Sequence, residues 1–114
     1  MSVNSSTYLQ LKSDEATIGT DNVVRFTTSD TYVHSLVIGV KDDSASATTG
    51  NWVGASDVTA ANKKGAKITA TSPLSVATIA NDRGTLPVNL ADYYVAGASG
   101  DTVYCVYLEE VAKT

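Results

Sequence analysis

One histidine, one cysteine and three pairs of adjacent acids are the side chains from which this 114-residue chain could build chemistry. His34 stands between Val33 and Ser35, in an apolar run. As a general base or a metal ligand it would need companions, and no second His or Cys stands at zinc-ligand spacing. The segment GASG, residues 97–100, lacks the nucleophile-elbow pattern, and no other histidine is available to serve its serine. GTDN and GASGD are turn chemistry, because neither is followed by Lys-Ser/Thr and a helix. Among the acid pairs Asp14-Glu15, Asp42-Asp43 and Glu109-Glu110, the second is best placed for a cation. It opens a loop containing Ser44 and Ser46, and calcium wants several oxygens converging from one loop. Solvated loop charge is the simpler expectation. No catalytic residue, metal or cofactor is implied, and an enzyme is the last-ranked reading.

Trp52 and six tyrosines could form an exposed platform on which sugars stack. The expectation is instead that Trp52 and most tyrosines belong to the core, with hydroxyl tips reaching water or a partner. Cys105 is flanked by Val103, Tyr104, Val106 and Tyr107, none of which supplies the positive charge that lowers a thiol pKa. It is expected to be buried, reduced and inert.

The formal net charge is -4 and the chain has no basic run. Nucleic acid and anionic membrane surfaces are therefore not expected as partners, since both need clustered Lys and Arg. One cysteine allows no disulfide within the chain. Residues 1–10, MSVNSSTYLQ, lack the charged and apolar regions of a secretory signal, and no apolar run approaches the ~18 residues of a bilayer span.

The elements that must position these residues read as strands and turns. Short runs of β-branched and aromatic residues are separated by Gly, Asn, Asp and Ser. Strands are expected at 7–12, 23–28, 32–41, 52–53, 67–71, 74–79, 86–90, 93–96 and 102–110. Residues 13–22 and 80–87 are expected to be turns or loops, and 41–51 a loop or an edge. The segment SDVTAANKKG, 56–65, reads as a loop or a single turn. Strands 93–96 and 102–110 are expected to pair as a hairpin across GASGD. Eight or nine short strands imply an all-β, single-domain antiparallel β-sandwich over residues 7–114. Residues 1–6 read as a short mobile N-terminal arm, with Val3, Asn4 and Ser5 as candidate contacts to a partner.

Three of these strands are apolar on both faces, whereas a strand covering one core normally alternates apolar with polar. In 102–110, Val103, Cys105 and Tyr107 oppose Tyr104, Val106 and Leu108. In 32–40, Tyr32, Leu36, Ile38 and Val40 oppose Val33 and Val37; in 74–79, Leu74 and Val76 oppose Ala77 and Ile79. Charged residues make up 18% of the chain, below the ~25% of an average protein, so polar cover is thin. The second faces, Tyr104, Val106, Leu108, Val33 and Val37, are therefore expected to meet another copy or a particle.

The stretches WVGASDVTAANKKGAKITATSPLSV and RGTLPVNLADYYVAGASGDTVYCVYLEE carry a resemblance as well. Trp52-Val53-Gly54, Ser56-Asp57-Val58-Thr59, the turn from Asn62 to Gly65, and the strands 90–97 and 100–107 are similar to a pattern of small virion proteins of tailed bacteriophages. Lys63-Lys64 before Gly65 departs from it. The resemblance covers roughly the carboxy-terminal half. It implies a jelly-roll-like sandwich, often trimeric, serving as a head decoration (cement), fibre or tail component, and it carries no catalytic residues. The function expected is a non-enzymatic decoration protein on the capsid exterior, made in the host cytoplasm, with a homotrimer of itself and the major capsid protein as partners. The alternative is a carbohydrate- or receptor-binding module using Trp52 and surface tyrosines.

Overall fold

Four nested antiparallel pairs organise the chain. In the computed structural model, β1 (Thr7–Thr17) pairs β11 (Thr102–Ala112), β2 (Val23–Arg25) pairs β10 (Tyr94–Ala96), β3 (Tyr32–Val40) pairs β6 (Leu74–Val76), and β4 (Asn51–Gly54) pairs β5 (Ala66–Ile68). Each pair lies inside the previous one in sequence, as in one long hairpin folded over on itself. Two further contacts, β11 with β3 and β10 with β4, close these pairs into two sheets, ordered β1-β11-β3-β6 and β2-β10-β4-β5. A short β9 (Val88–Asn89) adds to β3, and β7 (Ile79–Asn81) pairs β8 (Gly84–Leu86) apart from both sheets. The structure describes the backbone of residues 7–76, 79–81 and 84–112, and side chains outside 77–85. The expected arm, with Val3, Asn4 and Ser5, lies outside the described residues, as do the side chains of Ala77 and Ile79.

The two sheets face each other across one core, so the all-β, single-domain expectation holds. From the long sheet come Val33, Leu36, Ile38, Val40, Val103, Cys105 and Tyr107; from the short sheet come Val53, Ile68 and Val95. Each of the valines, leucines and isoleucines among them contributes roughly 1.5–3 kcal/mol by leaving water. At the open end of the core, the Tyr107 hydroxyl donates to Asp14 Oδ2 at 3.0 Å. Burial and then this bond push the phenol up to about 12. Burial likewise pushes the Cys105 thiol up to about 12, so it is a protonated, fully buried core residue.

Several local expectations change. β1 continues to Thr17, because Ser13–Ala16, part of the expected 13–22 turn, are held in register opposite Val106–Val103. The 80–87 stretch is not all loop, since β7 and β8 pair there. β10 and β11 do not pair with each other: residues 97–101 carry the chain from the short sheet to the long one. What anchors that crossing is Asp101, only 1% exposed, whose Oδ1 accepts from Ser46 N at 3.4 Å and whose Oδ2 accepts from Asn51 Nδ2 at 3.5 Å.

The most consequential change lies in β3. Val106 pairs Val37, but Leu108 pairs His34, so β3 carries one residue more than β11 over this interval. The extra residue is Ser35, at φ 53°. Such a bulge reverses which side chains face inward on either side of it. Val33 therefore joins Leu36, Ile38 and Val40 in the core at 0% exposed, and Tyr32 turns outward at 57%.

Candidate interaction surfaces

Residues paired directly across an antiparallel ladder share a face. The outer face of the long sheet is thus set by its registers: Leu9 with Glu110, Leu11 with Leu108, Ser13 with Val106 and Glu15 with Tyr104. On the other side of β11, Tyr104 faces Gly39, Val106 faces Val37 and Leu108 faces His34. Val37, Tyr104, Val106 and Leu108 are half-buried there, while Leu9 and Leu11 are exposed. No described element covers this face. The structure thus brings together Tyr104, Val106, Leu108 and Val37 as expected, and removes Val33, which the Ser35 bulge turns into the core. Leu9 and Leu11 extend the patch. A strand at 7–12 was expected from the sequence, but not that it would lie beside β11.

Polar residues rim this face. Lys41 Nζ meets Glu15 Oε2 at 2.8 Å. On the opposite face of the same ladder Lys12 Nζ meets Glu109 Oε1 at 2.7 Å. Beyond Leu108, β11 is paired with β1 alone, so the two strands continue past the body as a two-stranded ribbon.

The 42–51 loop does not assemble oxygens for a cation. Ser44 Oγ accepts from Thr102 N at 3.0 Å and donates to Thr102 O at 3.2 Å, which leaves it committed to the backbone. Asp42 and Asp43 are exposed, and among the described residues no group of three His, Cys, Asp or Glu is arranged to hold a metal. No helix among them is long and apolar enough to cross a membrane.

The outer face of the short sheet has a different chemistry. Tyr94 pairs Arg25 on one side and Gly54 on the other; Ala96 pairs Val23 and Trp52; Trp52 pairs Lys67. Trp52 and Tyr94 are half-buried on this outer surface, and of the six tyrosines only Tyr107 is buried. The expectation that Trp52 and most tyrosines are core residues is therefore corrected: the core positions of these short strands go to Val53 and Val95. Arg25 lies over the Tyr94 ring, 4.7 Å from its centroid, and Lys63 Nζ lies 5.1 Å from the centroid of the Trp52 ring. Arg25 Nε and Nη2 also donate to Ala91 O at 3.2 and 2.6 Å.

Lys63 reaches Trp52 from a loop that Asn62 staples. Asn62 Oδ1 accepts from Thr59 N and Lys64 N, Asn62 N donates to Thr59 Oγ1, and Asn62 Nδ2 donates to Asp57 O. Within this loop Lys63 stands at φ 55°. Comparison of the chain with protein-family models, curated proteins and solved structures gives no match.

Proposed function

We propose that this chain is a non-enzymatic structural protein of a bacteriophage particle: a capsid decoration (cement) protein that associates as a trimer and binds the major capsid protein on the shell exterior. The observation that carries the association is the apolar face of Leu11, Leu108, Val106, Val37 and Tyr104, which no described element covers. A contiguous apolar surface of this kind marks an association site. The nested strand pairing supports the jelly-roll-like part of the reading, an eight-stranded double-sheet architecture used by viral capsid and lectin domains. Several modest contacts per trimer, repeated on a shell, would raise avidity without one large interface.

A carbohydrate- or receptor-binding module of a fibre or tail stands second. Trp52 and Tyr94 share one outer face, but Lys63 and Arg25 sit over the very rings on which a sugar would stack. The test is twofold. Light scattering of the purified chain at micromolar concentration is expected to give a trimer, and the chain should co-sediment with empty shells of the major capsid protein from the same genome. A monomer that leaves shells bare would sink the proposal.

A further inference from the structure

Six of the eight cationic side chains lie among the described residues. Lys12, Lys41 and Lys64 each have a carboxylate partner, Glu109, Glu15 and Asp57. Among the described residues, Arg25, Lys63 and Lys67 have none. All three stand on the outer face of the short sheet or on the loop above it. In a chain of net charge -4, the uncompensated Lys and Arg charge of the described residues is gathered on one face.

Arg25 and Lys63 are also held in place. The Arg25 guanidinium is fixed by two bonds to Ala91 O and by the Tyr94 ring, which leaves Nη1 directed away from Ala91. Lys63 is held over Trp52 by the Asn62-stapled loop. The stem of Lys67 lies across Gly50, where a Cβ would stand 2.6 Å from Lys67 Cε. Such groups lose little freedom on binding, which is what makes a planar guanidinium effective against carboxylates. Beside Arg25 runs an open groove of about 300 Å³, lined by Asp21, Val23, Val24, Arg25, Thr28 and Tyr94. It offers a guanidinium edge, a threonine hydroxyl and apolar walls. Asp21 shares the groove without pairing to Arg25.

We propose that the outer face of the short sheet docks a carboxylate-rich segment of a partner protein, with one carboxylate seated in the groove against Arg25 and others meeting Lys63 and Lys67. Complementary charge selects an acidic partner and steers its approach. The face lies opposite the apolar surface proposed for self-association, so both can be occupied at once. That the partner is a protein rests on the function proposed above; the carboxylate site itself does not.

The experiment is a titration of the full chain with poly-L-glutamate, read by Trp52 fluorescence, with alginate and dextran in parallel. Poly-L-glutamate should bind despite the net negative charge of the chain, and about 0.5 M salt should abolish the response by screening. Arg25→Gln should weaken binding by about tenfold, and so should the exposed pair Lys63→Gln with Lys67→Gln. That pair leaves the Ala91 contacts intact, so it reads the site even if Arg25→Gln unfolds. Asp21→Asn should tighten binding by removing a like charge from the groove. Absence of binding, or variants that bind like the unaltered chain, overturns the proposal. Tighter binding of alginate overturns the protein partner in favour of an acidic polysaccharide. Light scattering on the same samples reads self-association separately, so failure of one proposal is not mistaken for failure of the other.

Discussion

Tyr104 covers Gly39 across the β11–β3 ladder: a Cβ placed on Gly39 would lie 2.4 Å from Cζ and Oη of the Tyr104 ring. The two are direct register partners, and the ring buries the glycine on what is otherwise the outer face. Gly39→Ala must displace that ring, with an expected loss of about 1–3 kcal/mol. In a Tyr104→Ala background the same change should cost much less, because the obstacle is gone. Urea unfolding of the four proteins in a double-mutant cycle reads this coupling, and additive losses would show that the ring does not occupy that space.

The Ser35 bulge makes a sharp distinction between two valines of β3. Val33→Ala should destabilise the fold by about 2 kcal/mol, since its side chain is fully buried. Val37→Lys should change stability by less than about 1 kcal/mol, yet weaken self-association. Leu11→Lys, at a residue 69% exposed, should act the same way. Denaturation and light scattering together check this; equal stability losses at Val33 and Val37 would contradict the bulge.

Stability should fall in alkali. The Cys105 thiol and the Tyr107 phenol are raised from 9.0 and 10.0 to about 12, chiefly by burial. Both remain protonated in the fold at a pH where the unfolded chain has already lost those protons. Their contribution is therefore intact below pH 9 and is lost between pH 9 and about 12. Melting temperature against pH should be flat from 7 to 9 and then decline, and Cys105→Ala should remove the earlier part of the decline. A thiol-reactive dye should label Cys105 slowly in the native protein and rapidly in denaturant.

Asp101 should matter more than its place in a glycine-rich loop suggests. Asp101→Ala removes the acceptor of Asn51 Nδ2 and Ser46 N, and Asn51 Oδ1 already has no partner among the described residues. The expected cost is about 2–3 kcal/mol, from buried polar groups left without bonds. Protease should then cut the 42–51 loop faster than in the unaltered chain, and unchanged cleavage would show that Asp101 does not hold that loop.

Much of β11 was legible from its own residues. Strict alternation put Val103, Cys105 and Tyr107 on one face and Tyr104, Val106 and Leu108 on the other, because the two-residue period of a strand is a local property of its backbone. Apolar runs and intervening turn formers likewise determined the all-β class. Tertiary structure alone decided the rest. Ser35 carries no mark of a bulge, because the bulge exists only in the register with β11. The 97–101 connection has the composition of a hairpin, and only the competing partners β2 and β4 for β10, and β1 and β3 for β11, make it a crossing. Ser13–Ala16 became strand through pairing with residues some ninety positions away. The cation–ring pairs Arg25–Tyr94 and Lys63–Trp52 join residues separated in sequence by 69 and 11 positions. Local periodicity is encoded by neighbours in the chain, whereas register, sheet partner and charged faces are set by contacts that form only when distant strands meet.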